Sequence, residues 1–171
     1  MKVVILAGGF GSRLSEKTHL IPKPMIEIGG KPIILHIMER YIRYGYTDFL
    51  IALGYKGENV KQYFANYHLM SSDFEVNLSN GIIKTNIKKG LNCKVTLVDT
   101  GLETMTGGRL KRFKNYLSNE RFFLTYGDGL SNINIKNLLE HHIKSSKLLT
   151  MSIVRPPARF GVLEINNDNV L

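Results

Sequence analysis

Cysteine is almost absent, with Cys93 the one thiol in 171 residues. That excludes a disulfide within the chain and a cysteine-based metal site, and it suits a reducing compartment. No apolar stretch approaches the length of a membrane span, and the apolar run at the start is too short for a signal peptide. A cytoplasmic, soluble protein without membrane contact is expected. Acidic residues are few, 14 against 23 lysines and arginines, which leaves a formal charge of +9 and a pI near 9.7. A surplus of this sign favours anionic ligands such as nucleotides or sugar phosphates. No block of like charges is long enough to be a tail, and no nucleic-acid reading module accompanies the basic stretches 84–94 and 109–114. Nucleic acid is therefore not an expected partner. Repeats, low-complexity segments and a dividing linker are also missing, and a hydrophobic content of 43% fits a single domain over 1–171 with a real core.

What is present begins at Lys2-Val3-Val4-Ile5-Leu6-Ala7-Gly8-Gly9-Phe10-Gly11-Ser12-Arg13-Leu14. A run apolar on both faces fits a strand buried in a parallel sheet. The glycines after it let the backbone bring amide N–H groups close to an anion, and Arg13 adds a fork of donors suited to phosphate. The dinucleotide fingerprint does not fit, because the frame from Gly9 through Gly11 reaches Leu14 instead of a third glycine. Asp48 also precedes the second strand instead of ending it. A Walker loop is excluded, since no Gly-Lys-Ser/Thr follows. The stretch reads as a phosphate-holding turn at the C-terminal end of the first strand.

Downstream, Ile21-Pro22-Lys23-Pro24 is held extended by its prolines, which puts Lys23 on a stiff tether, as a solvated lysine or as a phosphate contact. Pro32 opens a helix carrying Ile33, Ile34, Ile37, Met38, Tyr41 and Ile42, which Gly45 ends. His36 on it reads as a surface or packing histidine. Phe49–Leu53 is a buried strand, and Gly57 opens a helix whose Val60, Tyr63, Phe64 and Tyr67 are expected in the core. Short antiparallel strands are predicted over 74–87, and Val95–Asp99 returns to the buried-strand pattern, with Cys93 assigned to that apolar strand. The glycine- and threonine-rich loop Thr100–Gly108, leading to Arg109 and a helix with Leu110, Phe113 and Leu117, repeats the physics of the first turn. Phe122–Tyr126 reads as another buried strand. It delivers Gly127-Asp128-Gly129, either a plain Asp-Gly turn or a carboxylate placed to hold Mg²⁺ beside phosphates. Asn134 is expected to cap a helix on which His141 and His142 point apart, and Leu148–Val154 is predicted as a strand. A hairpin is predicted from Phe160–Ile165 to Val170.

Taken together, Leu6–Leu14, Pro22-Lys23-Pro24-Met25 and Ile28-Gly29-Gly30-Lys31-Pro32-Ile33 resemble the sugar-1-phosphate nucleotidyltransferases. Gly54-Tyr55-Lys56-Gly57, Tyr63-Phe64-Ala65-Asn66-Tyr67, Val98-Asp99-Thr100-Gly101, Met105–Arg112, Thr125–Gly129 and Arg159-Phe160-Gly161 narrow the resemblance to the glucose-1-phosphate cytidylyltransferases. The resemblance implies a three-layer α/β/α, Rossmann-like nucleotidyltransferase fold with a mostly parallel central sheet. It implies Mg²⁺ as cofactor and CTP and glucose 1-phosphate as substrates, with CDP-glucose and pyrophosphate as products, for deoxysugars of bacterial surface polysaccharide. By position it implies that Leu6, Ala7, Gly8, Gly9, Phe10, Gly11, Ser12 and Arg13 wrap the nucleotide, with Arg13 on its phosphates. Lys23 would contact phosphate, Thr104 and Arg109 would belong to the nucleotide-binding loop, and Asp128 would bind metal. Arg13, Lys23 and Asp128 are the expected catalytic set. Two positions depart from the family: Ser12 stands where relatives often have threonine, and Pro22 where many have lysine. Relatives of this kind run longer than 171 residues and carry a second metal aspartate further on, so this chain reads as an incomplete catalytic domain, expected to bind nucleotide with little turnover. An uncovered apolar sheet edge and a homo-oligomer are expected with it. The alternatives are a uridylyl- or thymidylyltransferase, a non-catalytic nucleotide-binding fragment and, on charge alone, a nucleic-acid binder.

Overall fold

The computed structural model describes residues 1–9, 21–86, 90–117, 119–154, 165–166 and 169–170. The chain forms two compact units, Met1–Asn132 and Ile133–Leu171. The first is built on a parallel sheet of β1 (Lys2–Leu6), β4 (Asp48–Leu53), β7 (Lys94–Asp99) and β8 (Phe122–Tyr126), in the spatial order β7–β4–β1–β8. β1 lies between β4, where Val3 pairs with Phe49, and β8, where Val3 pairs with Phe123. Strands two and three are therefore laid on one side of the first, and the fourth returns to the other side. Continuous apolar sequence explains the central pair, since Val3, Val4, Ile5 and Phe49–Leu53 are all buried.

Each strand presents alternate residues to opposite faces, so the sheet has two apolar faces to cover. On one, Val4, Leu6, Leu50 and Ala52 pack with Phe113 and Leu117, from the segment holding α4 (Thr106–Lys111) and α5 (Lys114–Leu117). On the other, Phe123 stands beside Val3 and meets the rings of Tyr41 and Tyr46 at 5.4 and 4.8 Å. Tyr41 belongs to α1 (Ile33–Ile42), which buries Ile34, Leu35, Ile37 and Met38 along the same stripe. Gly45, at φ +84°, carries the chain out of that helix in a conformation that favours glycine. α2 (Gly57–Ala65) packs on Leu53 of β4 so closely that a Cβ at Gly57 would lie 3.0 Å from the Leu53 Cβ. Helices on both faces of a parallel sheet make the three-layer α/β/α fold that the sequence implies.

Smaller pieces complete this unit. A short 3-10 turn at Lys23–Met25 precedes the two-residue pair β2 (Glu27–Ile28) and β3 (Lys31–Pro32). His36 Nε2 lies 2.9 Å from the Ile28 carbonyl oxygen. β5 (Asp73–Asn77) and β6 (Ile82–Asn86) form the expected antiparallel hairpin, exposed throughout. Ahead of it, α3 (Tyr67–Ser71) is a separate helix, and this changes the expected core. Val60 is buried, whereas Tyr63, Phe64 and Tyr67 are half-buried: the helix breaks at Asn66, and the Tyr63 ring meets those of Phe64 and Tyr67 edge to face at 5.6 and 6.2 Å. Cys93 lies just before β7 instead of within it, and burial pushes its thiol pKa up, which lowers its reactivity. β7 is half-buried, and Leu124 and Tyr126 of β8 are exposed, so neither strand is buried on both faces as its composition suggests.

In the second unit, α6 (Ile135–Ser145) is capped by Asn134, whose side chain accepts from Asn137 N at 3.0 Å. His142 Nδ1 lies 2.8 Å from Thr150 Oγ1. The predicted strand over Leu148–Val154 does not form; the segment is irregular, with Leu148, Leu149, Met151, Ile153 and Val154 exposed. A β-rich composition makes a strand only where a neighbouring backbone supplies hydrogen bonds. β9 (Ile165–Asn166) pairs antiparallel with β10 (Asn169–Val170), while Arg159, Phe160 and Gly161 lie outside the described residues. Among the described residues, no helix is long and apolar enough to cross a membrane.

Candidate functional site

Where strand order reverses in an open parallel sheet, the loops leaving two neighbouring strands diverge to opposite faces and leave a crevice at their C-terminal ends. Here the reversal falls between β1 and β8. Toward β8 the bond beyond the strands is Gly127 N to Leu6 O at 2.9 Å, while on the β4 side Ala7 N to Ala52 O at 2.9 Å and Tyr55 N to Gly8 O at 3.3 Å carry the pairing further. A cavity of about 230 Å³ opens at this point. Leu6, Ala7, Gly8 and Gly9 line one wall, Lys23 and Asp128 stand on another, and Leu102 to Thr106 with Arg109 form the third. Most residues singled out from the sequence thus meet at one place. Phe10, Gly11, Ser12 and Arg13 lie outside the described residues.

Lys23 and Asp128 come from distant parts of the chain and reach each other, with Nζ 3.6 Å from Oδ2. The proline-flanked turn brings the lysine in, and close packing brings the carboxylate: a Cβ at Gly127 would lie 3.0 Å from Pro24 Cγ and 3.1 Å from Leu6 O. The carboxylate remains 44% exposed, open to a ligand, while the lysine is more enclosed at 20%.

Arg109 behaves differently from a ligand-seeking arginine. It is 6% exposed, and its guanidinium faces inward. Nη1 donates to Leu53 O at 3.0 Å, Thr100 Oγ1 at 2.7 Å and Gly101 O at 2.7 Å. Nη2 donates to Gly8 O at 2.9 Å and Leu102 O at 3.0 Å. Burial lowers its pKa, and the nearby Asp99 carboxylate works in the opposite direction. The composition of the loop does not predict this clasp, nor the part of Thr100, whose hydroxyl donates to Leu53 O at 2.6 Å. Thr104 is wedged into the same loop: a Cβ at Gly101 would meet its Oγ1 at 2.8 Å, and one at Gly108 its Cγ2 at 2.7 Å.

The clasp explains two glycines. A Cβ at Gly8 would collide with Arg109 Nη1 and sit 2.9 Å from Gly54 N, and one at Gly54 would lie 2.5 Å from Arg109 Nη1 and 2.6 Å from Gly8 O. Gly8→Ala and Gly54→Ala are each expected to destabilise the fold by about 1 to 3 kcal/mol, read as a lower urea midpoint at unchanged slope. Gly9→Ala, whose added Cβ meets no atom of the described residues within 4 Å, serves as the neutral comparison.

A second cavity, of about 530 Å³, lies beyond the Lys23–Met25 turn, against Glu27, Asn59, Gln62 and Asn66. None of the described residues lining it is a lysine or arginine.

A profile of the family described as Nucleotidyl transferase matches residues 2–171. The chain is 48% identical over 171 residues to the glucose-1-phosphate cytidylyltransferase of Salmonella typhimurium, covering 99% of this chain and 66% of that protein. It is 41% identical over 167 residues to the probable glucose-1-phosphate cytidylyltransferase of Bacillus subtilis, covering 98% of this chain and 65% of the relative. The chain thus spans about two thirds of the length of these curated relatives. Among solved structures it resembles HddC from Yersinia pseudotuberculosis, with a TM-score of 0.64 and 27% identity over 83% of this chain and 54% of the other. A UDP-glucose pyrophosphorylase complexed with UDP-glucose shares the fold, with a TM-score of 0.61 at 22% identity over 85% of this chain and 54% of that one. With the profile running from β1 to the last residue, on a sheet whose order reverses beside the cavity, the chain belongs to the nucleotidyl transferase family.

Proposed function

We propose that the protein transfers a cytidylyl group from CTP to α-D-glucose 1-phosphate, releasing pyrophosphate and CDP-glucose. The observation that carries this reading is the meeting of Lys23 and Asp128, 3.6 Å apart, at the cavity edge facing the Gly8–Gly9 turn. The names of the Salmonella and Bacillus relatives support the choice of base and sugar.

In this reaction a phosphate oxygen of the sugar phosphate attacks the α-phosphorus of CTP, a new P–O bond forms, and the bond to the β-phosphate oxygen breaks. The attacking oxygen is already anionic near neutral pH, so no protein base is needed and the work is positioning and charge neutralisation. In this reading the amides of Gly8 and Gly9 receive the nucleotide phosphates, the Lys23 ammonium neutralises charge on the departing pyrophosphate, and Arg13 adds a bidentate contact. Asp128 would hold Mg²⁺. The donor set fits that ion, because a single hard carboxylate beside phosphates leaves the remaining positions to phosphate oxygens and water. Among the described residues no group of three or more His, Cys, Asp or Glu forms a cage that would replace them. When bound, the ion neutralises triphosphate charge.

We place the reaction in the cytoplasm, where CTP and sugar phosphates are available, and in the supply of CDP-glucose for surface-polysaccharide deoxysugars. Self-association is supported by the exposed apolar residues Phe74, Val76 and Ile83 on the β5–β6 hairpin.

Calorimetric titration with the magnesium complexes of CTP, UTP, dTTP and GTP, and pyrophosphate release with glucose 1-phosphate present, test the reading. CTP is expected to bind most tightly and to support the fastest release. Equal or better performance by UTP or dTTP would move the protein to a uridylyl or thymidylyl branch.

A further inference from the structure

Thr100 is 1% exposed, carries no charge, and has no part in the chemistry above, yet both capacities of its hydroxyl are used. It donates to Leu53 O at 2.6 Å and accepts from Arg109 Nη1 at 2.7 Å. We infer that Thr100 and Arg109 form a lock that sets two walls of the cavity as one unit, with Thr100 a positioning residue for the nucleotide. The inference rests on reading the cavity as the nucleotide site.

The lock gathers the ends of three strands. Gly8 O follows β1, Leu53 O ends β4, and Thr100 Oγ1, Gly101 O and Leu102 O follow β7. Four Nη hydrogens are shared among these five oxygens, so neither Nη can turn to a phosphate without releasing one of them. Its effect on a ligand passes through the backbone. In a trans peptide the C=O and the following N–H point in opposite directions. Gly8 O is pinned by Arg109 Nη2 at 2.9 Å and Tyr55 N at 3.3 Å, which turns the Gly9 N–H away from the guanidinium. Leu102 O, held at 3.0 Å, does the same for the Glu103 N–H in the opposite wall. Both Gly9 and Glu103 line the cavity. The hydroxyl of Thr100 accepts from Nη1 alongside the Leu53 and Gly101 carbonyls, and by holding the guanidinium in place it sets where both peptide planes come to rest.

The test uses Thr100→Val, which keeps the shape and removes the hydroxyl, with Thr100→Ser as the rescuing variant. Val60→Ala is the control for stability alone, since Val60 is fully buried in α2 and does not line the cavity. Two readouts are made well below the melting temperature: Kd for Mg-CTP, and hydrogen exchange at the Gly9 and Tyr55 amides. In Thr100→Val, Kd is expected to rise about tenfold and both amides to exchange faster, as for a small misplacement of binding groups. Thr100→Ser returns both to wild type, and Val60→Ala lowers the melting temperature with Kd unchanged. Wild-type Kd and exchange in Thr100→Val, or an equal loss of affinity in Val60→Ala, overturns the lock. Should the unaltered protein fail to bind Mg-CTP, the functional reading falls and exchange at Tyr55 alone decides the lock.

Discussion

Arg109→Met lowers the free energy of unfolding by about 3 to 5 kcal/mol, a fall of roughly 10 °C in melting temperature for a chain of this size. The side chain keeps an unbranched apolar stem but loses the guanidinium, and with it the donors to five oxygens. Leu53 O retains bonds from Thr100 N at 3.0 Å and Thr100 Oγ1 at 2.6 Å, and Gly8 O retains Tyr55 N at 3.3 Å. Gly101 O and Leu102 O are left without those bonds, and Thr100 Oγ1 loses its charged donor. Hydrogen bonds to a charged group contribute about 1.5 to 3 kcal/mol each and do not add when they share one donor group, which sets the range. Arg109→Lys recovers little, because an ammonium cannot span carbonyls on three strand ends as a planar fork does. Urea unfolding followed by circular dichroism measures both variants. A loss below about 1 kcal/mol for the methionine would mean that the clasp does not hold the loops.

Asp128→Asn is expected to abolish most turnover with the fold intact. The amide keeps the shape of the carboxylate and removes its charge, so the loss falls on a transition state that depends on charge neutralisation. Removal of such a group corresponds to on the order of 3 kcal/mol, or about a hundredfold in rate. Stability should barely move, since Asp128 is 44% exposed and an ion pair this open contributes under about 1 kcal/mol. Pyrophosphate release across a range of magnesium concentrations, with thermal melting alongside, separates the two effects. Turnover near that of the unaltered protein would remove Asp128 from the metal role.

Which parts of this were readable beforehand follows from the kind of signal each left. Val3–Leu6 and Phe49–Leu53 announce themselves because a strand buried on both faces needs apolar residues at every position. The sequence pattern fails where a segment depends on a partner: Leu148–Val154 is as apolar as a core strand, but it is irregular, without backbone pairing. Similarly, Tyr63, Phe64 and Tyr67 share a helical spacing that only a continuous helix would turn into one buried face, and Asn66 interrupts it. At the site, Gly8, Gly9 and Asp128 stood out because a glycine pair after a buried strand, and an acid between glycines at a strand end, are visible in residue type and spacing alone. The part of Thr100 and the inward aim of Arg109 left no such mark. The Thr100 hydroxyl donates to an oxygen 47 residues away, two of the five Arg109 acceptors lie 56 and 101 residues away, and any exposed loop could carry the same two residues.

The clasp also limits how this protein can drift. A methyl at position 54 is caught between the guanidinium and the Gly8 carbonyl, so trimming residue 109 relieves only one of the two collisions. At position 8 the backbone of Gly54 plays the same part. Alanine at either glycine is therefore opposed twice, by the guanidinium and by the facing backbone, and a smaller residue at 109 removes only the first of these.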